Sequence, residues 1–77
     1  MQIMGNTDYG LIEKITGFIS WCIEEYAVEN SVNAAEVGKS FSADGVTDFL
    51  ATHYGILHTQ GREYILETIG DYIKKGR

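Results

Sequence analysis

Two histidines and a single cysteine are the side chains with the most chemistry to offer in this sequence. His53 and His58 stand five residues apart on either side of Gly55. A helical pair that shares a metal stands four apart, so the spacing predicts no metal site. His53 also extends the apolar series Val46, Phe49, Leu50, which predicts a buried imidazole satisfied by a backbone carbonyl. Cys22 falls in the middle of an apolar helix face, where a thiol stays protonated and inert, so its expected duty is packing rather than nucleophilic attack. No serine follows a strand in a strained elbow. The expectation is a protein that is not an enzyme and carries no cofactor.

The elements that would position these residues are helical. From about Asp8 to Glu29 the residues Leu11, Ile12, Ile15, Phe18, Ile19, Cys22, Ile23 and Tyr26 recur at three- and four-residue steps, one broad helical face. Thr7 or Asp8 can cap its start, and Asn30-Ser31 breaks it. Asn33-Ala34-Ala35-Glu36 reads as a capping box, with Val32 and Val37 as its hydrophobic staple. The short helix that follows carries Ala34, Val37 and Phe41 and stops at Asp44-Gly45. A third, from Val46, is expected to end at Tyr54-Gly55, with Ile56 folding back on Leu50. His58-Thr59-Gln60-Gly61 reads as a turn whose side chains bond the first amides of a last helix, with Thr59 or Gly61 as its cap. The buried stripe of that helix is Ile65, Leu66, Ile69, Tyr72 and Ile73, with Lys74 and Lys75 favouring its dipole. The predicted fold is all-α: one domain over residues 1–77, a small orthogonal four-helix array in which two long amphipathic helices bracket two short ones.

Composition narrows the function classes. Eleven acidic against six basic side chains give a net charge of −5, and Lys14, Lys39 and Arg62 are scattered rather than gathered. Such a surface repels a phosphate backbone. The second and third helices imitate a helix-turn-helix, which keeps a DNA-binding regulator as the alternative reading. The would-be recognition helix nevertheless holds Asp48 and no lysine or arginine. One cysteine fits a reducing compartment, the first ten residues lack a basic-then-apolar leader, and no apolar run is long enough to span a membrane. A cytoplasmic protein is expected.

Trp21-Cys22-Ile23-Glu24-Glu25-Tyr26, Gly45-Val46 with Asp48-Phe49-Leu50, and Leu57-His58-Thr59-Gln60-Gly61 with Glu63-Tyr64-Ile65 resemble a family of short bacterial helical domains of unknown function. The resemblance runs from about Ile15 to Ile73 and departs at Ser40 to Asp44, where a bulkier, more charged helix end would be usual. Some members are encoded beside ADP-ribosyltransferase-like toxins, which implies an accessory or antitoxin-like partner protein. The family offers no catalytic residues to carry over.

The residues left over point to recognition. Gly10, Gly17, Trp21 and Val28 form a second stripe on the first helix, well over 100° from its main apolar face. Glu24, Glu25 and Glu29 crowd the last turns of that helix, where its dipole disfavours negative charge. Tyr64 projects away from the buried stripe of the last helix. Trp21, Glu24, Glu25, Val28, Glu29 and Tyr64 are therefore the expected contacts with another protein, which could be a second copy of the same chain.

Overall fold

The computed structural model describes residues 9–75. Its elements are α1 (Tyr9–Asn30), α2 (Ala34–Ala43), α3 (Val46–Thr52), α4 (Tyr54–Leu57) and α5 (Arg62–Lys75). There is no strand among the described residues, and no described helix is long and apolar enough to cross a membrane. The Thr7 and Asp8 caps expected for α1 lie outside the described residues.

Burial of apolar area holds the helices together. Cys22 of α1, Phe41 of α2, Val46 and Leu50 of α3 and Ile69 of α5 are almost wholly excluded from solvent. Ile65, Leu66 and Leu57 complete the centre, and Tyr72 and Ile73 pack against it, as the three- and four-residue spacing of α5 requires. Tyr26 meets Phe41 edge-on at 5.3 Å, joining α1 to α2, while Phe49 stacks on Tyr72 at 4.2 Å, joining α3 to α5. The main stripe of α1 is buried unevenly. Leu11 and Ile12 remain 43% and 51% exposed, because the other helices pack on the second half of α1 and not on its first turns.

Each helix end has its own chemical cause. At the end of α1, the Ser31 amide donates to the Val28 carbonyl and the Val32 amide to the Ala27 carbonyl, the crossed pair of bonds that closes a helix through a left-handed residue. That residue is Ser31, at φ 55°. Ser31→Gly should therefore raise the unfolding free energy by about 0.5 to 1 kcal/mol, the relief of a side chain in the left-handed region less the added chain entropy of glycine. Urea denaturation measures it, and a loss of stability would contradict the strain. Asn33 caps α2, its Oδ1 accepting from the amides of Ala35 and Glu36. The reciprocal half of the expected capping box is replaced, since Glu36 lies 4.0 Å from Lys39 instead.

Gly45 makes the turn between α2 and α3 at φ 80°, where a Cβ would also stand 3.4 Å from the Tyr72 hydroxyl. Gly45→Ala should cost about 1 to 2 kcal/mol from the backbone alone. Thermal unfolding checks this, and an unchanged midpoint would show that the turn relaxes.

The region after α3 corrects the sequence reading in five places. The described residues form five helices because His53, at φ −102° and ψ 15°, interrupts the helix one residue after Thr52, and a new turn then starts at Tyr54. Gly55 sits inside that turn and does not stop it. His53 and the following amides still share bonds across the break, with Leu57 donating to the His53 carbonyl at 2.9 Å. Leu57, seven residues or two helical turns from Leu50, therefore enters the core, while Ile56 is 66% exposed rather than folded back. His53 is itself exposed, its ring 4.7 Å from Phe49, and not buried against a carbonyl. Finally, Thr59 Oγ1 donates back to the Ile56 carbonyl at 2.8 Å and Gln60 bonds Thr59, so this turn closes α4 and does not cap α5 through its side chains.

Candidate functional site

α1 carries one ridge made of Phe18, Trp21, Glu25 and Glu29, set by steps of three and four residues. Opposite it, Tyr54, His58 and Arg62 follow one another at four-residue steps through α4 and into the first residue of α5. The two rows meet at both ends. Phe18 packs edge-on against Tyr54 at 5.5 Å, Trp21 stacks beside Phe18 at 6.4 Å, and His58 lies flat on Tyr54 at 4.3 Å. These rings form a continuous aromatic surface whose two ends, Trp21 and His58, face solvent.

The other end is ionic. Arg62 Nε donates to Glu25 at 2.6 Å, one terminal nitrogen reaches Glu29 at 3.3 Å and the other reaches Glu63 at 3.3 Å. A guanidinium presents its donors as a rigid fork, so one arginine can hold two carboxylates that would otherwise repel at four residues' separation. The hydrogen bond to Glu25 first, then that to Glu29 and the charges of both, hold Arg62 above its already high ordinary pKa. The crowding of acids at the end of α1 thus has a partner within the chain. Three carboxylates share one cation, so the cluster remains net negative.

The residues expected to meet a partner divide into three groups. Glu25 and Glu29 come together on Arg62, whereas Trp21, Glu24 and Val28 line the outward side of α1 and Tyr64 stands apart on α5. Val28 is 69% and Tyr64 53% exposed, and Trp21 keeps 38% of its surface in solvent. A side chain built at Gly17 would meet nothing within 4 Å among the described residues, so no other described helix approaches the outward stripe there. Sequence reasoning missed Arg62 as the pivot and Tyr54 and His58 as ring partners. The signal was their four-residue spacing, hidden by reading Gly55 as a stop.

Cys22 has no solvent access, and burial pushes its thiol up from an ordinary 9.0 to about 12. It is a core side chain. Among the described residues no three of His, Cys, Asp and Glu are grouped to hold a metal ion. What this surface presents is ring faces and carboxylates.

No curated protein and no solved structure matches the chain. A family described as "Protein of unknown function (DUF3791)" matches residues 17–76, from the middle of α1 to past the end of α5, and so takes in both rows of this surface. The chain therefore belongs to the DUF3791 family.

Proposed function

We propose that this chain is a protein-docking domain whose contact surface is the outward side of α1, with Trp21 and Val28 as apolar anchors and Glu24 at the margin, and with Tyr64 of α5 as a separate contact. The supporting observation is the exposure of Val28 and of part of Trp21 beside an open Gly17, apolar surface that the described residues do not fully cover. Aromatic anchors flanked by charge are the usual makeup of a protein contact. A second copy of the chain and a separate protein are the two occupants to distinguish. The resemblance to proteins encoded beside toxins makes an accessory or antitoxin-like role in the cytoplasm the specific form of the proposal.

Light scattering across a wide concentration range tests the first occupant. Self-association that Trp21→Ala abolishes supports it, and a monomer at the highest concentration removes it. For the second, a partner recovered with the wild-type chain should be lost with Trp21→Ala and Val28→Ser together; recovery indifferent to both would remove the outward stripe as the contact.

The DNA-binding alternative draws less support. Val46 and Leu50 of the seven-residue α3 are buried and Phe49 is stacked on Tyr72, which leaves Asp48 and Thr52 as exposed positions on a would-be recognition helix. Neither carries positive charge to a phosphate.

A further inference from the structure

A groove of about 590 Å³ runs between the end of α1 and the length of α5, away from the aromatic surface. Tyr26, Leu66 and Ile73 form its apolar floor, and Glu29, Glu63 and Glu67 stand on its rim. Past Tyr26 and Ile73 the floor continues into a second depression of about 270 Å³ with Val32 at its edge, rimmed by Glu36 and Asp44. Five carboxylates and a single lysine, Lys74, thus border the two depressions. Arg62 draws on Glu29 and Glu63 but does not reach Glu67.

The groove is open because residue 70 is glycine. A Cβ at that position would meet nothing within 4 Å, so no packing among the described residues asks for the smallest residue in the middle of α5. A floor that accepts apolar side chains under a mainly acidic rim selects a segment that is amphipathic and oppositely charged. We propose that the groove receives a basic amphipathic segment of a partner protein, its apolar side chains on Tyr26, Leu66 and Ile73 and its lysines or arginines on Glu63 and Glu67. The proposal rests on reading the chain as a docking domain, but it concerns a surface other than the Trp21 and Val28 stripe.

The probe is a short helical peptide of leucine and lysine, with a leucine and glutamate peptide of the same pattern as its control, titrated into the isotopically labelled full chain. The lysine peptide should shift the amide signals of Glu29, Glu63, Glu67 and Gly70. Glu63→Lys with Glu67→Lys should weaken it by about tenfold or more. Gly70→Leu should keep a cooperative melt, since it adds a side chain into open space and a better helix former, yet lose binding because the groove is filled. Equal binding of the glutamate peptide, or unchanged binding by Gly70→Leu, overturns the proposal. Shifts confined to Trp21 and Val28 also overturn it while leaving the outward docking stripe in place. Shifts produced by raising protein concentration alone would make the occupant a second copy, and no shift with either peptide would remove the groove as a docking site.

Discussion

Phe41→Ala should lower the unfolding free energy by about 3 to 5 kcal/mol. The ring is 1% exposed, lies edge-on to Tyr26 and sits one turn before the Gly45 turn, so it ties α1 to α2 and shapes the entry to α3. Removing it opens a cavity that the surrounding core closes only in part. A chain of 77 residues has only about 4 to 12 kcal/mol of stability in total, so the variant should populate unfolded molecules even without denaturant. Urea titration followed by circular dichroism reads the effect as a lower midpoint at an unchanged slope. A loss under about 1 kcal/mol would mean that the centre of the core lies elsewhere.

The contrast between Phe41 and Arg62 shows what the sequence could and could not reveal. Apolar periodicity located α1, α2 and α5 and named Cys22, Phe41, Leu50 and Ile69 as core, because burial imposes a 3.6-residue rhythm on whatever faces inward. Asp44-Gly45 was equally legible, since only glycine takes a left-handed turn without strain. Gly55 misled for the same reason. Glycine permits a helix stop without requiring one, and the break is set two residues earlier at His53, a residue with no strong signal either way. The first turns of α1 show another limit: periodicity reports which face is apolar, and only the packed chain shows that Leu11 and Ile12 keep much of their surface in water. The ionic cluster was illegible because it joins positions 37 and 33 residues apart, and charge carries no periodic trace of its partner. The sequence therefore showed surplus acid at the end of α1 but not the arginine that gathers it.

Cys22 should make the fold fail in alkali. Its native thiol is held up to about 12 by burial, whereas in the unfolded chain it ionises near its ordinary 9.0. Below about pH 9 both states keep the proton and the residue contributes no pH dependence. Between about pH 9 and pH 12 the unfolded chain releases a proton that the native chain retains, so stability falls as pH rises, by at most about 1.4 kcal/mol per pH unit. From about pH 8 to pH 11 the loss from this one residue should be about 3 kcal/mol. Tyrosines and lysines ionise over the same range, so the quantity to measure is the difference between the wild type and Cys22→Ala. The variant starts lower because it loses the buried sulfur, but its curve should be flatter, and the two should converge as pH rises. Parallel curves would mean that the thiol reaches water in the native state. Alkylation supplies an independent check at about pH 8: a thiol seated between α1 and the rest of the core reacts only through opening, so its labelling should be slower than that of the unfolded chain by about the unfolding equilibrium constant, on the order of a thousandfold or more. Rapid labelling of the folded chain would place Cys22 at the surface and contradict the packing on which α1 depends.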